Sequence, residues 1–171
     1  MFARIRRRRD DLVTVTNLLK GAETAARQDG AAHAGAEHLL LAALGLPDGT
    51  AAAAFRRAGL DPGGLAGAIA SQHAAALGAL GITGPEPAVP APGDPPRGPY
   101  RGDASMEPVL RSAAAAVKHD RIHLSGAHIV EAVAALDQGT APRALAALGA
   151  DRAALARAAR EELAALVAAG R

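Results

Sequence analysis

The sequence predicts an all-α fold built from two related four-helix halves packed as one eight-helix domain. Three observations predict it. Half of the 171 residues are hydrophobic, and most of these are Ala and Leu, the strongest helix formers, with few β-branched residues to compete. The stretch from His33 to Asp61 returns ninety residues later as His123 to Asp151. His33 and His123, His38 and His128, Gly49-Thr50-Ala51 and Gly139-Thr140-Ala141, and Asp61 and Asp151 all fall at that one offset. Ala-rich composition does not explain shared His, Gly, Thr and Asp, so a duplicated unit is implied. Finally, glycine and Asp-Pro signals punctuate the chain at helical spacing.

In chain order, the first helix is expected from about Asp11 to Gly30. Leu12, Val15, Leu19, Ala22 and Ala26 form its buried stripe, Asp10 or Asp11 its cap, and Gly30 its left-handed end. A second helix, Ala36 to Gly45, is apolar on nearly all sides through Leu39-Leu40-Leu41 and belongs inside the bundle. Pro47-Asp48-Gly49 reads as a turn. Thr50 is expected to cap a third helix that Gly59 stops. Asp61-Pro62 starts a fourth, reaching about Ala79, by pairing a carboxylate cap with proline in the first turn. Residues 81–101 hold seven of the eleven prolines and read as a linker, since no helix survives that spacing. The second half repeats the order. Met106 to His119, Ala127 to Leu136, Thr140 to Gly149, and a last helix capped by Asp151 and reaching about Ala168 complete the eight. The expected division is a basic arm at 1–10, repeat one at 11–80, linker at 81–103 and repeat two at 104–171. Neither repeat covers its apolar faces alone, so the two form one integrated domain.

Charge is uneven. Arg4 and Arg6 to Arg9 place five arginines in the first nine residues, leaving 14 basic against 17 acidic groups elsewhere. The basic character belongs to the arm, and nucleic-acid binding by the folded body is disfavoured because stacking aromatics are scarce. A basic-arm regulator that touches nucleic acid or an acidic partner is the reading this arm would support. No signal peptide follows the arm, and the longest uncharged run is too broken by glycine and polar residues to span a membrane. A soluble, cytoplasmic protein without membrane contact is expected. Without cysteine there are no disulfides or thiolate metal sites.

No catalytic constellation emerges, so no enzyme, cofactor or metal is expected. Lys20 and Lys118, the only lysines, follow no phosphate-binding glycine pattern. His33, Glu37 and His38 spell H-x-x-x-E-H, one residue longer than the inverted zinc-protease motif, and at that spacing the ligands swing apart around a helix. His38 and His128 read as helix-start residues whose ring nitrogens bond backbone, because a structural role recurs with a repeat. Ser125 reads as a cap. Glu37, in the first turn of its helix, suits the helix dipole. It would equally receive a guanidinium at a mouth between helices.

Met1-Phe2-Ala3-Arg4, Gly35-Ala36-Glu37-His38-Leu39-Leu40-Leu41, Asp48-Gly49-Thr50-Ala51 and Ala58-Gly59-Leu60-Asp61, with the weaker second copy Ser125-Gly126-Ala127-His128-Ile129-Val130, resemble the Clp N-terminal (Clp N, or R) domain. That domain precedes the ATPase rings of ClpA- and ClpC-type unfoldases. The resemblance implies a Clp N-like eight-helix fold and a non-enzymatic role in receiving degrons, adaptors or competing ligands of a ClpC-type unfoldase–protease. It also implies a phosphoarginine pocket at Glu37, the Glu of the E-H-L-L motif, with Thr14 and Thr16 near the family's threonine position, which Leu12 occupies. Ala127 stands where the second pocket would have its Glu, so one site is expected to be lost or altered. Phe2 matches the edge of a hydrophobic surface that takes cyclic-peptide antibiotics, which makes sequestration of such peptides an alternative role. No ATPase module follows the second repeat, and the expectation is a stand-alone Clp N-like protein.

Overall fold

The computed structural model describes residues 2–81 and 102–169, with side chains from Asp10 onward. Among the described residues there are eight α-helices and no strand. They are α1 (Phe2–Gln28), α2 (Ala36–Leu44), α3 (Thr50–Arg57), α4 (Leu65–Ala79), α5 (Met106–Asp120), α6 (Gly126–Ala134), α7 (Thr140–Ala147) and α8 (Arg152–Ala169). A single 3-10 turn, Pro62–Gly64, leads into α4. No helix here is long and apolar enough to cross a membrane.

The expected punctuation works locally. Gly30, Gly49, Gly59, Gly139 and Gly149 all take positive φ, the region that a side chain resists and glycine does not. Asp61 accepts the Gly63 amide, and Asp151 accepts the amides of Ala153 and Ala154, as N-cap carboxylates do.

Three expectations are corrected. The first helix begins at Phe2, not near Asp11, so residues 2–10 continue α1 and are not a separate arm. Arginine is a good helix former and nothing in that stretch stops a helix. Asp11 has other work, accepting the Leu124 amide at 2.9 Å. The buried stripe of α1 runs through Leu18, Ala22 and Ala26, whereas Leu12 is 68% exposed, because the first turns of α1 project past α2. At α3, Thr50 is not the cap. Gly49 holds that place, and Asp48 Oδ1 accepts from both the Thr50 amide and hydroxyl. The linker expected at 81–103 falls mostly on residues 82–101, outside the described residues.

The core sits where α2 and α6 meet. Leu39, Leu40, Ile129, Val130 and Val133 are wholly buried there. Gly126 is required at this crossing, since a Cβ on it would stand 2.8 Å from Ala51 Cβ and 3.0 Å from the Ala43 carbonyl oxygen. The halves exchange partners around this centre, α3 lying on α8 and α4 on α7. Burial of both repeats therefore depends on both being folded.

Candidate functional site

Each repeat builds the same hinge of backbone, imidazole and carboxylate. In the first, the Gly35 amide donates to His38 Nδ1 at 2.9 Å, and His38 Nε2 faces Asp29 Oδ2 at 3.3 Å. In the second, the Ser125 amide donates to His128 Nδ1 at 3.1 Å, and Nε2 faces Asp120 Oδ2 at 3.6 Å. A backbone donor on Nδ1 leaves the ring hydrogen on Nε2. Both histidines are 1% exposed, and the structural role expected for them is what the geometry shows. Burial lowers the His128 pKa, with Asp120 and Glu131 opposing that shift.

The repeats part company beside these rings. Glu37 is 8% exposed, and its Oε1 lies 3.2 Å from His38 Nδ1, whose lone pair is already engaged by Gly35. No Lys or Arg nitrogen among the described residues comes within salt-bridge distance of it. Its carboxylate lies over the Gly35 Cα, where a Cβ would stand 2.5 Å from Oε1. In the second repeat Ala127 replaces the Glu and Ser125 replaces the Gly, and the Ser125 hydroxyl reaches His128 Nδ1 at 3.0 Å. The two replacements belong together, since the serine side chain fills the space that the carboxylate takes in the first repeat.

The other wall of each mouth comes from the opposite repeat. Ser105, before α5, accepts the Ala36 amide at 2.9 Å, and the Asp103 amide donates to the Ala34 carbonyl at 2.8 Å. Reciprocally, Asp11 of α1 accepts the Leu124 amide next to α6. The start of α2 is thus tied to the segment before α5, and on α5 itself lies a cleft of about 440 Å³ lined by Asp103, Met106, Glu107 and Arg111. Arg111 is held by Glu107 one turn away.

Thr14 and Thr16 are not brought to Glu37. α1 and α2 run antiparallel, with Gly21 against Ala42 and Asp29 against His38. Glu37 therefore lies by the C-terminal end of α1, roughly 15–20 Å or more along the axis from the threonines at about 1.5 Å per residue. Thr16 donates its hydroxyl to the Leu12 carbonyl of its own helix. The residues that sequence reasoning missed are Ser105 and Asp103. The ninety-residue offset pairs them with Val15 and Val13, inside α1, so the repeat carried no signal for them. Phe2 begins α1, but its side chain lies outside the described residues. Among those described, no His, Cys, Asp and Glu cluster could hold a metal ion.

The α6 end of the second mouth is closed by the first repeat. Asp48 accepts the Gly126 amide at 3.2 Å and the Thr50 hydroxyl accepts the Ala127 amide at 2.9 Å. The first amide of each of α2 and α6 is therefore taken by a side chain of the opposite repeat. Among the described residues, a nearly buried carboxylate without a Lys or Arg partner is thus found in the first mouth, where the second has Ala127.

Residues 13–85 match the family described as the Clp repeat (R) N-terminal domain, a span that holds the first repeat. No curated protein matches the chain. Among solved structures, the chain is similar to the N-terminal domain of the caseinolytic protease associated chaperone ClpD from Arabidopsis thaliana. The identity is 19% and the TM-score 0.58, over 91% of this chain and 92% of that one. Residues 13–85 are thus similar in sequence to the Clp N-terminal repeat domain, and the described helices share the fold of the ClpD N-terminal domain.

Proposed function

We propose that this chain is a non-enzymatic, cytoplasmic binding protein of the Clp system, one that captures arginine-bearing segments of client or adaptor proteins at the Glu37 mouth. The observation that carries the reading is the Glu37 carboxylate itself. It is nearly buried, has no cationic partner among the described residues, and sits over a glycine that keeps its space open. A buried charge of this kind is costly unless something pairs with it. A guanidinium matches a carboxylate with two parallel hydrogen bonds. Phosphoarginine, the ligand class the family resemblance suggests, would add a phosphate.

Isothermal titration with phosphoarginine, and with free arginine as comparison, tests this reading on wild type and Glu37→Ala. Losing a charge-assisted pair removes about 1.5–3 kcal/mol, so the variant should bind at least roughly tenfold more weakly. Equal affinities, or no heat from either protein, would remove Glu37 from the site.

A further inference from the structure

The two halves differ most where their last helix meets their first. His73 in α4 and Leu163 in α8 occupy equivalent places in the repeats. In the first half His73 Nδ1 lies 2.7 Å from Asp29 Oδ2, tying α4 to the end of α1. In the second half Leu163 makes no such tie, and an open trough of about 900 Å³ separates α5 from α8.

Two helical stripes wall this trough. Ser112, Ala115, Ala116 and His119 fall at i, i+3, i+4 and i+7 on α5, and Arg160, Leu163, Ala164 and Val167 take the same spacing on α8. A stripe with this periodicity is normally covered by another element, yet of these eight residues only Leu163 is buried. The stripe is mostly small, so a third helix could approach both walls closely.

One end of the trough is acidic. Asp120 and Glu131 face Arg160, whose Nε lies 2.6 Å from Glu131 Oε1. Glu131 stands where the first repeat has Leu41, so the second trough has gained a carboxylate and lost its clasp. A second observation singles out the same spot. His128 Nε2, buried behind Asp120, has no hydrogen-bond partner. The Asp120 carboxylate stays 3.6 Å short of it while contacting the exposed His119 at 2.9 Å on the outer side. Asp120 thus turns Oδ2 toward the buried His128 and Oδ1 toward the exposed His119 on the trough wall.

We propose that this trough docks an amphipathic helix of a partner protein. Apolar side chains at i, i+3, i+4 and i+7 would lie between the α5 and α8 stripes, and a Lys or Arg at one end would engage Asp120 and Glu131. The charge balance selects a basic residue, since two carboxylates there face one arginine. This helix-in-groove mode is separate from the Glu37 mouth and does not rest on it.

The probe is a displayed library of random 16-residue peptides, panned on the full chain and followed by fluorescence anisotropy of the enriched peptides. Ala164→Arg, at an exposed position, fills the trough without touching the core, and circular dichroism with a thermal melt checks that the variant is folded. Enriched peptides should carry the apolar spacing with a terminal basic residue. They should lose on the order of tenfold or more in affinity for Ala164→Arg, and should weaken for Glu131→Gln. No enrichment, or binders that Ala164→Arg retains unchanged, would overturn the proposal. So would peptides that bind equally after the basic residue is changed to Glu. Sedimentation showing that wild type self-associates and Ala164→Arg does not would overturn it too, because the occupant would then be a second copy.

Discussion

At the scale of residues, Gly35 and Glu37 are coupled by space, and their counterparts Ser125 and Ala127 are coupled the same way. Gly35 has φ of −107°, so alanine meets no backbone obstacle there. The obstacle is the Glu37 carboxylate, 2.5 Å from where the Cβ would stand. Gly35→Ala should therefore push the Glu37 carboxylate aside at a cost of about 1 kcal/mol in wild type, and almost nothing in a Glu37→Ala background. Urea denaturation of the four proteins in this cycle measures the coupling, and purely additive effects would refute it. None of this was legible from the sequence. The exchange of Glu for Ala was visible, but its dependence on Gly versus Ser is a matter of three-dimensional volume. Glu37 itself was legible because it is the one acidic residue of α2. The threonines were misplaced because nearness in sequence to a helix start carries no information about which mouth that start faces.

At the scale of elements, helix ends were far more legible than helix partners. Asp61, Asp151 and the positive-φ glycines act on their own neighbours, and such local chemistry reads directly from sequence. The start of α1 was not legible because a run of arginines offers no stop signal. The start of α6 rests instead on His128, whose ring accepts the Ser125 amide and which burial keeps below its ordinary pKa. The linkage sign follows from that direction. The unfolded chain binds a proton near the usual histidine value of about 6.5, while the folded chain binds it only at lower pH. This contribution to stability is complete above that range and declines as pH falls through it. Melting temperatures recorded from pH 8 to pH 5 should drop on the acid side, and His128→Gln should show a flatter profile from a lower starting point. An equally steep profile in the variant would assign the loss to other groups.

At the scale of the whole molecule, the duplication is a scaffold whose halves finish each other. α1 reaches the loop before α6, Ser105 reaches the start of α2, and Asp48 and Thr50 satisfy the first amides of α6. The sequence predicted that two repeats would pack together, because neither could bury its apolar residues alone. It could not predict the reciprocal crossing, which depends on contacts between residues 69 to 113 positions apart. Asp48 is the sharpest test of this interdependence. Its Oδ1 takes the Thr50 amide and hydroxyl within the first repeat, while Oδ2 takes the Gly126 amide of the second. Asp48→Ala removes a cap and leaves a partly buried amide unpaired, which together should cost about 2–3 kcal/mol. Because the lost bonds bridge the repeats, the urea midpoint should fall while unfolding remains one transition. Hydrogen exchange should show faster opening in both halves, at the α2 amides as well as those of α6. Two separate transitions in circular dichroism, or faster exchange confined to the first repeat, would mean that the halves fold independently and that the bridge at Asp48 is incidental.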